Sequence, residues 1–149
     1  MAVRPIPEGF HSVTPSIPVD GARKFIDFMK QAFGAQDIVN MPMPDGRVMH
    51  AELKIGDSII MTSDPMGGFE PMPSTLMLYV NDVDAVFKRA VQAGAKSVIE
   101  PSNMFWGDRS GRVKDPFGNF WILSTHIEDV TPAEMAKRTK EFVQSMSKQ

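Results

Sequence analysis

Two stretches of this chain can be laid over each other, and that repetition restricts the fold more than any bulk property does. TPSIPVDGARKFIDFMKQAFGAQDIV, starting at Thr14, aligns with TLMLYVNDVDAVFKRAVQAGAKSVI, starting at Thr75, with one deletion. Val19 then meets Val80, Gln31 and Ala32 meet Gln92 and Ala93, and GAQDIV meets GAKSVI. Each half continues through a GRV tripeptide, Gly46 to Val48 and Gly111 to Val113, which reads as a turn leading into a hairpin. Such self-similarity indicates that one supersecondary unit has been duplicated.

The unit reads as strand, helix and three strands. In the first half Asp20 is expected to cap a helix in which Phe25, Phe28, Met29, Ala32 and Phe33 recur at helical spacing, with Gly34 as its left-handed stop. The second helix is expected to begin near Asp82, bury Val83, Val86, Phe87, Ala90 and Val91, and stop at Gly94. MPMPDG, GD and DPFG mark turns between short strands, and Gly111 and Gly118 read as turn glycines. The expected organisation is a single domain over 1–149: a βαβββ module over 11–64, a Pro-, Gly- and Met-rich linker or lid over 65–74, a second module over 75–126 and a C-terminal helix over 131–145. Thr131, Pro132 and Glu134 form the capping box of that helix.

Composition excludes several classes of function. A formal net charge of -2 provides no electrostatic reason to expect nucleic acid or an anionic membrane as partner. With no cysteine, disulfides, thiolate metal sites and cysteine nucleophiles are impossible. No apolar run approaches the roughly 20 residues of a membrane span, and the N-terminus lacks a secretion signal's apolar core, so a cytoplasmic protein is expected. Twelve methionines read first as adaptable core filler and second as a plastic ligand pocket.

The duplicated order over residues 11 to 126 resembles the vicinal oxygen chelate superfamily of glyoxalases, bleomycin-resistance proteins and extradiol dioxygenases. HSVTPSIPVDG, GRVMHAELKIGDSIIM, FWGDRSGRVKDPFGNFW and THIEDVTPAEM are similar, more narrowly, to its PhnB-like (demethylubiquinone-methyltransferase-like) branch. The resemblance implies an α+β fold in which two modules form a pair of half-barrels, and a homodimer. It also implies a divalent ion held by the first and last strand of each half, at positions that fall here on Thr14, Met61, Thr75 and Ile122. None is a ligand of the required kind, so neither metal nor cofactor is expected at the inherited site.

Strand alternation says what stands in the concavity instead. A two-residue hairpin at Gly56 and Asp57 would pair Ile55 with Ser58, Lys54 with Ile59, Leu53 with Ile60, Glu52 with Met61 and His50 with Ser63. Leu53, Ile55 and Ile60 then face the helices, while His50, Glu52, Lys54, Met61 and Ser63 face the hollow. Thr14, Ser16, Thr75, Met77, Tyr79, Phe120, Ile122 and Ser124 should join them, with Trp121 and Leu123 packed under a helix.

His50 and Glu52, two apart on one strand, project the same way and are the candidate acid/base or polar pair. Their alternative is structural, Glu52 pairing with Arg109 or Arg112. Trp106 and Arg109, in FWGDR, are candidates for stacking on and charge-pairing with a flat or anionic ligand; a turn held by Asp108 accounts for Trp106 equally well. Met61, Met77, Phe120 and Ile122 would form an apolar wall, and Tyr79 a proton donor beside it. His126 and Glu128 read as a solvated exit to the last helix. The leading expectation is a protein that binds a small organic ligand, or a metal-independent enzyme acting on one. The rivals are a metal-dependent lyase or dioxygenase with ligands shifted to His50 and Glu52, helped by His11 or His126, and a drug-sequestering binder.

Overall fold

The computed structural model describes residues 2–149. The first module contains β1 (Ser16–Pro18), α1 (Ala22–Phe33), β2 (Gln36–Pro42), β3 (Val48–Ile55) and β4 (Ser58–Ser63). The second contains β5 (Thr75–Tyr79), α2 (Val83–Gln92), β6 (Lys96–Asn103), β7 (Asp108–Lys114) and β8 (Phe120–His126), followed by α3 (Pro132–Met146). Each module folds into a four-stranded mixed sheet, ordered β1-β4-β3-β2 and β5-β8-β7-β6. β1 and β5 run parallel to their neighbours and the other pairings are antiparallel. The α+β class and the duplicated strand order agree with the sequence reading.

The GD turn sets the predicted register, with Ile55 opposite Ser58, Leu53 opposite Ile60 and Glu52 opposite Met61. Alternation then buries Leu53, Ile55 and Ile60 on the helix face. In the second sheet Trp121 and Leu123 are buried likewise. Phe33 meets Trp121 at a ring separation of 4.5 Å, and Phe25 meets Phe117 at 5.3 Å. Side chains of α1 thus interlock with the second sheet, and one apolar core runs through both modules. Complete burial of Phe25, Met29 and Trp121 contributes about 2–3 kcal/mol each by area removed from water.

Four local expectations are corrected. α1 is not capped by Asp20: its N-cap is Gly21, in the left-handed region at φ 86°, with no side-chain cap of its own. The orphan amides of Gly21 and Ala22 donate instead to Asp64 Oδ1, at 3.0 and 3.2 Å, and Val48 N–H donates to Asp64 Oδ2 at 2.7 Å. Asp64 lies at the end of β4, so the cap arrives through tertiary structure. Val91 is 40 % exposed, because the buried stripe of α2 is confined to Val83, Val86, Phe87 and Ala90 and Val91 falls at its edge. Gly111 is not a turn residue but lies inside β7, opposite Leu123. A Cβ there would come within 3.1 Å of Ile99 O, Phe87 Cδ2 and Pro101 Cγ, so glycine allows α2 and β6 to close on β7. Finally, α3 extends to Met146, one residue past its expected end.

α2 is capped as expected, with Asp82 Oδ1 accepting from Ala85 N–H at 3.1 Å. Thr131 Oγ1 accepts from Glu134 N–H at the start of α3. α3 buries none of its residues. It is tethered through Arg138, which donates to both oxygens of Glu128, to Glu134 and to the carbonyl of Phe105. Phe142 packs on Phe105 at 4.9 Å between ring centres. Among the described residues no helix is long and apolar enough to cross a membrane.

Candidate functional site

With one face of each sheet committed to the core, the opposite faces remain for function. On the second sheet the cross-strand pairs Asp108–His126, Ser110–Ser124, Arg112–Ile122 and Lys114–Phe120 share that face, and β5 adds Met77 and Tyr79 beside Ile122 and Ser124. A cleft of about 370 Å³ opens here, lined by Met77, Ile99, Met104, Trp106, Ser110, Gly111, Arg112 and Ile122. Its walls are mostly hydrocarbon, sulfur and indole, and its size suits a small organic molecule. A larger depression of about 710 Å³ lies between Ile55, Gly56 and α2 along its length, from Asp82 to Gln92. It is more open and is edged by Asp82, Lys88 and Arg89, so it lacks the enclosure that makes the sheet cleft a candidate.

Asp108, only 2 % exposed, organises one end of this face. Tyr79 O–H and Trp106 Nε1–H donate to its Oδ2 at 2.9 and 3.1 Å, and His126 Nδ1 lies 2.8 Å from its Oδ1. The Trp106 ring is therefore held in one orientation at the cleft wall by a buried acceptor. Gly107 permits the tight turn between them, since a Cβ there would lie 2.2 Å from the carbonyl of Glu128. The bond to Asp108 raises the Tyr79 phenol above its ordinary value, so Tyr79 serves as a fixed donor to that carboxylate.

His126 bridges Asp108 to Asp129, its Nε2 lying 2.8 Å from Asp129 Oδ1. Only the imidazolium can donate to both carboxylates. Hydrogen bonding to Asp129, then to Asp108, accordingly raises His126 above its ordinary value of 6.5. A raised folded-state value means that this stabilisation is complete below the unfolded value and is lost as pH rises through the folded one. We expect wild-type Tm to decline from near neutrality upward by more than that of His126→Gln, and an NMR titration to place His126 above 6.5. A ring titrating at or below that value would contradict the bridge.

On the first sheet Glu52 stands opposite Met61, and Met61 beside Ser16. His50 Nε2 lies 3.0 Å from Glu52 Oε1, and both side chains are partly exposed. The two candidates are thus in contact with each other, and neither arginine pairs with Glu52. The cleft on the second sheet is lined by neither of them.

The remaining candidates divide. Trp106, Met77 and Ile122 line the cleft together. Tyr79 stands at its Asp108 end. Phe120 lies one register step away, with Lys114 Nζ 5.5 Å from its ring centre, and Met61 belongs to the other sheet. Arg109 is on the helix face of β7. Its Nε and Nη2 donate to the two oxygens of Asp84 at 2.7 and 2.8 Å, and its Nη1 to Asn103, so its charge is engaged away from the cleft. The arginine that shares the cleft is Arg112. Strand alternation could have found it, since Arg112 differs in parity from Val113, the partner of buried Trp121, while Arg109 does not. Asp108 and His126 were harder to assign, because their roles depend on cross-strand and loop partners.

The four positions at which the resemblance implies metal ligands carry Thr14, Met61, Thr75 and Ile122, whose side chains end in hydroxyl, thioether and alkyl groups. Met61 and Ile122 provide a thioether and an alkyl group, and Thr14, which donates to the carbonyl of His11, precedes β1. Among the described residues no cluster of three or more His, Asp and Glu side chains has the geometry to hold a metal.

The class of protein this architecture defines is a paired βαβββ protein with a ligand-sized cleft on the open face of a sheet. The sequence profile of the glyoxalase/bleomycin resistance protein/dioxygenase superfamily matches residues 9–123, and the chain belongs to that superfamily. Uncharacterized proteins of Mycobacterium bovis and Mycobacterium tuberculosis are 38 % identical to it over 135 residues, covering 83 % of this chain and 89 % and 79 % of theirs. Among solved structures, TioX from Micromonospora is similar at 25 % identity and TM-score 0.62, over 78 % of this chain and 100 % of its own. An Arabidopsis thaliana gene product is similar at 28 % identity and TM-score 0.64, over 77 % and 98 %. A PhnB protein of Bacillus cereus shares the fold at 16 % identity and TM-score 0.60, over 77 % and 99 %.

Proposed function

We propose that the protein binds a small organic molecule in the cleft on its second sheet and does so without a metal ion. The observation that carries this reading is the fixed indole of Trp106 beside an apolar cleft of about 370 Å³. A ring immobilised before binding loses little entropy when a ligand stacks on it, which is what a binding wall requires. The donor chemistry at Met61 and Ile122 supports metal independence, because neither side chain replaces an anionic or imidazole ligand of a divalent ion.

In this reading the first sheet contributes from a second copy of the chain. The concave faces of both sheets point away from the shared core, and Met77 and Tyr79 are 48 % and 58 % exposed. A homodimer that sets the first sheet of one protomer over the second sheet of its partner would cover these side chains and bring the His50–Glu52 pair to the cleft as a polar or proton-transferring lid.

A thermal-shift screen of flat and aliphatic small molecules tests the reading, because any ligand that prefers the native state raises its apparent stability. A compound giving a shift of several degrees with wild type should lose most of it with Trp106→Ala and keep it with a substitution at exposed Lys24 on α1. Retention of the full shift by Trp106→Ala would place the site elsewhere. Elemental analysis of protein purified without chelator should find less than stoichiometric divalent metal. A full equivalent that disappears in His50→Ala would overturn metal independence.

A further inference from the structure

Among the described residues Arg112 has no hydrogen-bond or ion-pair partner. Its Nε is buried and makes no hydrogen bond, and its guanidinium forms no ion pair among the described residues. Arg47, Arg109 and Arg138 each engage a carboxylate, so Arg112 differs from them. It stands opposite Ile122, in the lining of the cleft, among Met77, Ile99, Met104 and Trp106. Within such a wall the buried Nε–H has lost its hydration without a partner, while Nη1 and Nη2, which make no hydrogen bond among the described residues, stay open for an anion to meet.

Among the described residues no carboxylate pairs with Arg112. The nearest carboxylate on the same strand and face is Asp108, four residues away and so roughly 13 Å along the strand. Its oxygens are occupied by Tyr79, Trp106 and His126. The internal repeat sharpens the point. Met61 and Ile122 hold equivalent places in the two modules, and their cross-strand partners are Glu52 and Arg112. Duplication has thus been followed by opposite charges at one position, and in the second module that charge lines an apolar cleft. Next to Arg112 on the same face, Ser124 donates to Ser110 at 2.8 Å, which leaves the Ser110 hydroxyl proton free to donate into the cleft.

We propose that Arg112 is an anion anchor and that the ligand of the cleft is a carboxylate with a compact apolar body. The carboxylate would be held by the Arg112 fork with help from Ser110, and the body would lie between Trp106, Met77 and Ile122. This rests on the cleft reading above and specifies the ligand class that the cleft selects.

Phenylacetate and its neutral isostere phenylacetamide are suitable probes, with Trp106 fluorescence as the readout. Wild type, Arg112→Gln and Arg112→Lys should first be shown to be folded by circular dichroism. Hydrogen bonds to charged groups imply that wild type prefers phenylacetate by roughly 10- to 100-fold. Arg112→Gln should abolish that preference by weakening phenylacetate alone, and Arg112→Lys should restore part of it. Equal binding of the two probes by wild type, or a preference that survives Arg112→Gln, would overturn the anchor and leave the cleft reading standing. Failure of both probes to bind any of the three proteins would overturn both. If phenylacetate binds only after Glu52→Gln, Arg112 is neutralised by a second protomer's Glu52, which also overturns the anchor.

Discussion

Asp115→Ala is expected to destabilise the protein by about 3–5 kcal/mol, one of the largest effects of any single polar substitution in the chain. Asp115 is 4 % exposed and accepts three hydrogen bonds. Phe117 N–H and Asn119 N–H donate to its Oδ1 at 2.8 and 2.9 Å, and Trp121 Nε1–H donates to its Oδ2 at 2.9 Å. The carboxylate shapes the DPFGN turn and also satisfies the indole of a tryptophan that is 1 % exposed. Removing it leaves three N–H groups without acceptors, at least two of them buried, and an unsatisfied buried donor costs more than the net value of the bond it made. For a chain of this length the loss corresponds to roughly 10–15 °C in Tm. Urea titration of Asp115→Ala in wild-type and Trp121→Phe backgrounds would separate the parts. The indole's share should vanish when the indole is already absent. Equal losses in both backgrounds would show that the turn alone depends on Asp115.

Asp64→Ala is expected to cost about 3–4 kcal/mol, for a related reason with a different geometry. Its two oxygens tie the first turn of α1 to the start of β3, through Gly21 and Ala22 on one side and Val48 on the other. Asparagine retains one acceptor oxygen and cannot serve both sides, so Asp64→Asn should fall between wild type and alanine. The second module provides an internal comparison. There Thr125 Oγ1 accepts from Val83 N–H and donates to the carbonyl of Val80, joining the start of α2 to β5 by a neutral hydroxyl. Thr125→Val should therefore cost less, about 1–2 kcal/mol. Chemical denaturation of the three variants checks the order. A Thr125→Val loss equal to that of Asp64→Ala would mean that the charged acceptor has no special weight.

What could be foreseen here was whatever depends on periodicity and short-range turns. The GD hairpin determines its own register, so the pairing of Glu52 with Met61 and the burial of Leu53 and Ile60 follow from counting residues. The buried faces of the helices follow from spacing, apart from Val91. What was not legible depends on partners distant in sequence. Asp20 sits where a cap belongs, yet Asp64, 43 residues from Gly21, accepts its amide. A local rule ranks candidate caps but cannot exclude a better acceptor brought in by the fold.

Gly111 is a second case, because a glycine in a GRV tripeptide reads as a turn until the approach of Ile99 O and Phe87 is seen. The candidate site was legible in composition more than in geometry. Trp106, Met77 and Ile122 do meet in one cleft, while Arg109 turns to Asp84 and Arg112 takes the place beside Ile122. That exchange is a single step of strand parity, which the burial of Trp121 and Leu123 already implied.

Ligand is expected to bind on the open face of the second sheet. Chemical-shift mapping with phenylacetate on ¹⁵N-labelled protein locates that face. The chain has two tryptophans, so the side-chain indole of Trp106 gives a peak readily distinguished from that of Trp121. Saturable shifts are expected at the Trp106 indole and at the amides of Met77, Ser110, Arg112 and Ile122, with the amides of His50 and Glu52 either still or moving only as a dimer-borne lid would. Shifts confined to residues 48–63, with the Trp106 indole unmoved, would contradict it.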